Sequence, residues 1–134
     1  MKNKKVVIST STSQKTFIEK WLKYWKNKGY KVINYPVQIK DKDFSIAWPK
    51  VHKNFYNCLL KTDLHFVANE DKNGIVGYIG VGVFAELAFV VGLNLSRKKK
   101  IEILIYKKPN HKNIFYDDIM LWIRQGWINL LGNK

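Results

Sequence analysis

Short apolar runs alternate along this chain with longer stretches in which apolar residues recur about every four positions. The runs are rich in β-branched residues, which fit the pleated surface of a sheet, so each run predicts a strand. The predicted strands are Lys5–Ser9, Lys31–Tyr35, Leu64–Asn69, Ile101–Tyr106 and a short fifth strand at Trp127–Leu131. The stretches between them have the periodicity of helices.

The first helix follows a hydroxyl-rich loop, in which Thr12 or Ser13 suits the N-cap position. It extends to about Lys28, where Gly29 is the residue type that favours a helix end. Aromatic residues at four-residue spacing predict its buried face: Phe17, Trp21 and Trp25.

The second helix is predicted to begin with Pro49 in its first turn and to end near Thr62. Its apolar stripe consists of Val51, Phe55 and Leu59. The preceding segment, Val37–Trp48, mixes charges with scattered aromatic residues and is predicted to be a loop.

Two more helices follow. Val81 to about Leu95 is almost wholly apolar, which predicts a helix that is buried on most sides. Phe115–Gln125 is predicted to be helical because acidic residues in its first turn suit the helix dipole. Between strand three and the apolar helix, Glu70–Gly80 is predicted to be a glycine-rich loop.

Strands that alternate with helices predict a single α/β domain over residues 1–134, with a mostly parallel sheet of four to five strands covered on both faces. In the flavodoxin-like strand order, 2-1-3-4-5, ligands bind between the carboxyl ends of strands one and three. The loops there are Ser9–Ser13 and Asn69–Gly82. The candidate substrate-binding residues in these loops are Ser9, Ser11, Asn69, Asp71, Gly77, Tyr78, Gly80 and Gly82.

The chain is strongly basic, with a formal net charge of +14. Such a charge favours association with phosphate-bearing ligands, nucleic acid or anionic lipid, but it equally fits lysines scattered singly over the surface. One cysteine, Cys58, excludes a disulfide framework within the chain and suits the cytoplasm, as does the lack of a signal-peptide pattern. Gly74–Leu95 is long enough to cross a membrane, but its glycines and Glu86 argue against that.

Glu86 is the strongest candidate for chemistry because it is the only charge in an apolar segment. The nearby helix N-terminus would favour its ionised form, while apolar neighbours would exclude water. The alternative is a carboxylate that only bonds a neighbouring loop. The histidines show no metal-ligand spacing, so neither a metal nor another cofactor is predicted. Cys58 is predicted to be a small buried residue. Trp122 and Trp127 suit either an oligomer face or the core.

The segments DLHFVANEDKNGIVGYIG at 63–80 and FAELAF at 84–89 resemble the nucleoside 2-deoxyribosyltransferase-like superfamily, and in particular its small members with a DKxGIxGYIG…E pattern. The resemblance extends over nearly the whole chain. It implies a flavodoxin-like sheet, a homo-oligomer and a cleft for a nucleoside or nucleotide. In active members a glutamate that matches Glu86 attacks the anomeric carbon of a 2-deoxyriboside and releases the base.

One position departs from that family. Active members carry an aspartate on the second helix where this chain has Phe55, and phenylalanine cannot protonate a leaving base. The candidate substitutes for this acid are His52, Asp71 and Tyr78. Three hypotheses follow: an N-glycosidase or deoxyribosyltransferase with Glu86 as nucleophile, a non-catalytic nucleotide-binding module, and a basic nucleic-acid-binding domain.

Overall fold

A computed structural model of the chain describes residues 3–11, 15–39 and 44–133. In these residues five strands alternate with four α-helices. The strands are β1 (Lys5–Ser9), β2 (Lys31–Asn34), β3 (Leu64–Val67), β4 (Glu102–Ile105) and β5 (Asn129–Leu130). The helices are α1 (Lys15–Asn27), α2 (Phe44–Lys61), α3 (Val81–Ser96) and α4 (Tyr116–Arg124), and a 3₁₀ turn follows at Leu131–Asn133.

All five strands are parallel and lie in the order β2-β1-β3-β4-β5. The predicted flavodoxin-like three-layer fold and its strand order are therefore confirmed. Strands β1 and β3, which are adjacent in the sheet, pair Val7 with His65 and Ser9 with Val67. The chain leaves these two strands toward opposite sides of the sheet, so their carboxyl ends border the crevice in which such folds bind ligands.

The alternation of side chains along each strand produces two cores. On one face, Trp21 and Trp25 of α1 pack against Phe66 of β3. On the other face, α2, α3 and α4 cover Val7 and Val67. Because successive side chains point to opposite faces, Ser9 and His65 lie on the second face together with Val7 and Val67. Two polar residues are thus placed beneath the layer that contains α3.

Helix α2 begins earlier than the sequence predicts. The loop prediction for Val37–Trp48 is wrong for Phe44–Trp48, and Pro49 lies inside the helix and not in its first turn. A proline there leaves the carbonyl four residues earlier without its helical partner. Ring stacking of Phe44 on Trp48 and of Trp48 on His52 supports the turns on both sides of the proline.

Helix α3 is buried against the sheet, and Phe84 and Phe89 on its flanks pack partly buried against the core, so the predicted burial on most sides fails only along an exposed outer stripe. Its inward residues are Val83, Leu87, Val90 and Val91. Val81 and Leu95 are exposed. The uniform apolar composition did not indicate which positions form this exposed stripe. No helix in the described part of the chain is long and apolar enough to cross a bilayer.

The remaining boundaries are close to the prediction. Strands β2 to β5 end one or more residues earlier than the apolar runs do, and β4 and β5 also begin later. Trp127 precedes β5 and is exposed, whereas Trp122 of α4 packs partly buried against the core. The proposed caps Thr12 and Ser13 lie outside the described residues.

Candidate functional site

A cavity of about 400 Å³ opens at the predicted crevice, beside the loops that follow β1 and β3. Helix α2 and the chain after β2 supply its aromatic and apolar wall: Tyr35, Pro36, Val37, Trp48, His52 and Phe55. The opposite wall is polar and consists of Thr10, Ser11, Lys72, Tyr78 and Gly80, while Gly82, Val83 and Glu86 of α3 close the floor. The volume and the mixed lining are those of a small-molecule site.

Glu86 lines this cavity from the second turn of α3, where it is the sixth residue of the helix. Burial raises the pKa of its carboxyl group to about 7, and a hydrogen bond with the Ser9 side chain opposes that rise. The sequence-based expectation that the helix N-terminus would favour the ionised form is therefore wrong. The unpaired N–H groups of a helix lie in its first turn, and desolvation dominates further along.

Ser9 connects Glu86 to a buried histidine on the neighbouring strand. Ser9 is completely buried, and its Oγ lies 2.7 Å from Nε2 of His65. His65 is equally buried, and this lowers the pKa of its imidazole to about 3, so the ring is neutral at physiological pH. Nδ1 of His65 has no hydrogen-bond partner among the described residues. Sequence reasoning identified Ser9 but not His65, which is hidden within an otherwise apolar strand.

Other titratable groups face Glu86 from the cavity walls. Among the described lining residues, Lys72 is the only lysine or arginine, and Glu86 is the only carboxylic acid. Tyr56 of α2 has its pKa raised, by burial first and by the charge of Glu86 second. His52 lines the cavity, and its ring centre lies 4.9 Å from that of Tyr56, which is not among the lining residues.

Phe55 lies in the cavity wall and is only 7% exposed. It packs in the same core cluster as Leu59, Val83 and Leu87. The position at which the resemblance leads one to expect an aspartate is therefore filled by an apolar side chain next to the same space as Glu86. His52 and Tyr78, two of the candidate substitutes, line that space.

Ser11 joins the two loops of the polar wall. Its Oγ accepts a hydrogen bond of 2.8 Å from the Gly80 backbone N–H, and its carbonyl accepts one of 2.8 Å from Nζ of Lys72. A Cβ on Gly80 would come within 3.1 Å of Ser11 Oγ, so the close approach favours glycine. Tyr78 packs under the Lys72 ammonium, which lies 5.5 Å from its ring centre. The predicted residues Ser11, Tyr78, Gly80 and Gly82 all line the cavity.

Ser9 is completely buried and does not line the cavity, and three other candidates are not brought to it either. The buried Asn69 amide donates to the carbonyls of Gly77 and Lys107, at 3.3 and 2.6 Å. Asp71 accepts the Gly77 N–H at 2.9 Å, and this bond first and Lys107 second lower the pKa of its carboxyl group. Gly77 has φ of +64°, and a Cβ there would come within 2.9 Å of Pro109 Cα. These residues fix the loop between β3 and α3 instead.

A tight turn positions Lys72 at the cavity. Lys72 and Ile75 exchange both backbone hydrogen bonds, at 3.1 and 2.9 Å, around Asn73 and Gly74. Both central residues have positive φ, 55° and 74°, as a two-residue hairpin turn of this type requires. The Asn-Gly pair was a readable signal for this turn, and sequence reasoning missed it.

Neither the histidines nor the cysteine form a metal site in the described segments, where no group of three potential ligand residues comes together. Cys58 is partly buried on α2, and its Sγ lies 3.5 Å from Nδ2 of Asn34 and 4.0 Å from the Ile33 carbonyl oxygen. It does not line the cavity. Its small size and its neighbours fit a packing role between α2 and β2.

Comparison of the chain with protein-family models, with curated proteins and with solved structures gives no match. Membership of the superfamily that the motif resembles therefore stays a prediction.

Proposed function

We propose that the chain is an N-glycosidase or 2-deoxyribosyltransferase-like enzyme that acts on a nucleoside or nucleotide, with Glu86 as its nucleophile. The observation that carries the proposal is the largely desolvated Glu86 carboxyl at the floor of a cavity of about 400 Å³. A perturbed acid in a cleft is a frequent mark of a catalytic group. The resemblance of the central motif to the 2-deoxyribosyltransferase-like superfamily supports the same assignment.

In the proposed reaction, an oxygen of ionised Glu86 attacks the anomeric carbon while the bond from that carbon to the base nitrogen breaks. The electron pair of that bond leaves with the base, and a glycosyl ester of Glu86 forms. Water, or a second base, then attacks the same carbon and regenerates the carboxylate. A pKa of about 7 keeps a useful fraction of Glu86 ionised at neutral pH and makes the carboxylate more basic than an exposed one.

The cavity walls suit the two halves of such a substrate. The stacked rings of Trp48 and His52, 4.5 Å apart and inclined by 22°, offer a flat surface to a base. Lys72 and the hydroxyl groups of the polar wall suit the sugar or a phosphate attached to it. His52 and Tyr78 are the candidate donors of the proton that the leaving base needs.

The direct test is to incubate the pure protein with the common deoxynucleosides and their 5′-monophosphates and to measure free base by chromatography. We expect release from at least one of them, with loss of more than about 1,000-fold in Glu86→Gln, because the amide is not a nucleophile. Glu19→Gln, the same change at an exposed residue of α1, is the matched control and should retain full activity. A Glu86→Gln protein as active as the wild type would refute the assignment.

A second function is favoured by Phe55. With an apolar residue where an acid is expected, the cavity fits a nucleotide-binding module that performs no chemistry. Such a module would be stabilised by a nucleotide against thermal unfolding without releasing base. Thermal shift and base release measured on the same samples separate the two functions, and a protein with neither response has neither function.

We also propose that the protein forms a homo-oligomer in the cytoplasm. The free thiol of Cys58 suits a reducing compartment. Val81 and Ile114 are 77% and 86% exposed and are apolar, as in a surface that a second copy would cover. Light scattering coupled to gel filtration tests this, and Val81→Asp with Ile114→Asp should shift the mass toward one chain. A wild-type protein that elutes with the mass of one chain at high concentration contradicts it.

A further inference from the structure

A buried imidazole lies behind the nucleophile proposed above, and it is not part of the mechanism described. His65 is on β3, one diagonal step from Ser9 on β1, and strand alternation directs both side chains toward the face covered by α3. Its Nε2 is 2.7 Å from Ser9 Oγ, and neither residue is exposed to solvent. Ser9 in turn bonds Glu86. The three side chains form a row from the core to the cavity.

The hydrogen atoms available in this row determine which group donates in each of its hydrogen bonds. The Ser9 hydroxyl has one hydrogen, and an ionised carboxylate can only accept. With Glu86 ionised, Ser9 must donate to Glu86, so Ser9 Oγ accepts its other bond from His65. Since burial keeps the imidazole neutral, its single N–H is then on Nε2, and Nδ1 is a bare acceptor. The absence of a partner for Nδ1 among the described residues fits this, because an unpaired acceptor is better tolerated than an unpaired donor.

We infer that His65 is a positioning residue that acts through Ser9: its Nε2–H holds the Ser9 hydroxyl in the orientation that donates to the Glu86 carboxylate. The inference rests on the proposed function only for its kinetic consequence. Other titratable groups lie near Glu86, namely Tyr56 on α2, whose pKa responds to the charge of Glu86, and the cavity-lining His52, Lys72 and Tyr78. Among the described residues, none of these four groups hydrogen-bonds Ser9 Oγ, whereas His65 does, so the effect of His65 is separable from theirs.

The first experiment uses the wild-type protein. Nitrogen-15 NMR distinguishes the two neutral tautomers of a histidine, and the chain has three histidines, which single substitutions would assign. At pH 8, where Glu86 is ionised, we expect His65 to carry its hydrogen on Nε2. A hydrogen on Nδ1 overturns the inference, because Ser9 would then have to donate to His65 and could not also donate to Glu86.

The second experiment measures the pKa of Glu86 with carbon-13 in the glutamate carboxyl groups. The chain has four glutamates, and the signal that disappears in Glu86→Gln identifies the right one. His65→Asn places its amide near the Nδ1 position, short of Ser9, and should raise the Glu86 pKa by about 1. His65→Gln is longer, places an N–H near the Nε2 position, and should keep the pKa near the wild-type value.

A double-substitution cycle excludes a merely structural effect. In a Ser9→Ala protein the row is already broken, so adding His65→Asn should leave the Glu86 pKa unchanged, whereas general loosening of the core would change it again. Equal pKa values for His65→Asn and wild type overturn the inference. If the enzymatic proposal holds, His65→Asn should lower kcat about tenfold at constant KM. Base release that fails in the wild type refutes the enzyme, but the tautomer and the pKa cycle still decide the role of His65.

Discussion

The raised pKa of Glu86 predicts that the wild-type protein loses stability as pH rises from the unfolded pKa of this group to its folded pKa. The carboxyl titrates near 4.5 when exposed and at about 7 in the folded protein. Below pH 4.5 the carboxyl is protonated in both the folded and the unfolded state, so it does not change the free energy of unfolding. Between the two pKa values the unfolded chain releases the proton that the folded protein retains, so the free energy of unfolding falls as pH rises.

The size of the effect follows from these two values. The pKa difference of about 2.5 corresponds to about 3 kcal/mol at 1.36 kcal/mol for each pKa unit. Most of this loss falls between pH 5 and pH 7, and the curve is flat above pH 8. Glu86→Gln removes the titration but keeps the size and hydrogen-bonding capacity of the side chain. The free energy of unfolding of the variant minus that of the wild type should thus grow by about 2–3 kcal/mol from pH 5 to pH 8.

Urea denaturation followed by tryptophan fluorescence measures both proteins at each pH, since Trp21 and Trp25 are buried and report on the core. Titration of all other groups cancels in the difference between variant and wild type. Glu19→Gln is the control, and its difference from the wild type should stay nearly constant because Glu19 is exposed. A difference for Glu86→Gln that is constant or that falls with pH would refute the desolvation argument.

Three further predictions concern other parts of the molecule. The imidazole of His65 has a pKa of about 3 in the folded protein and 6.5 when exposed, so the free energy of unfolding of the wild type should fall as pH falls from 6.5 to 3. His65→Gln cannot take up this proton, so its free energy of unfolding, measured by denaturation at each pH, should fall less over the same range. Gly77→Ala should lower the free energy of unfolding by about 2 kcal/mol more than Gly74→Ala, as measured by thermal unfolding. Both glycines have positive φ, but only Gly77 is in close contact with Pro109. Trp48→Ala should weaken nucleotide binding about tenfold by calorimetry with little change in stability, because Trp48 is 43% exposed and lines the cavity.

The sequence was sufficient for the architecture because short apolar runs alternate with longer helical stretches, two of which, α1 and α2, have an apolar stripe at four-residue spacing. It failed at Phe44–Trp48, where Pro49 outweighed the aromatic residues at four-residue spacing that continue through His52 and Tyr56. A proline is a strong local signal, whereas the stacking that compensates for it is visible only once the helix exists.

For the candidate site, sequence reasoning located Glu86 and the two loops but could not distinguish binding residues from residues that hold the loops. Asn69 and Ser11 are both small polar residues of these loops, but Asn69 hydrogen-bonds the Lys107 carbonyl whereas Ser11 lines the cavity. His65 was missed because its role depends on a neighbour 56 positions away in the chain, Ser9. Such pairings arise from strand register, which no local pattern reports.

The two walls of the cavity differ in how they are held in place. The polar wall is cross-linked by Asn69, Ser11 and Asp71, so a change there disturbs several loops at once. The opposite rim includes Trp48 and Val51 of α2, which line the cavity and are partly exposed. Substitutions on that rim alter what the cavity admits while the fold is little affected. New ligand preferences can therefore evolve, or be engineered, on α2 with the Glu86 floor left intact.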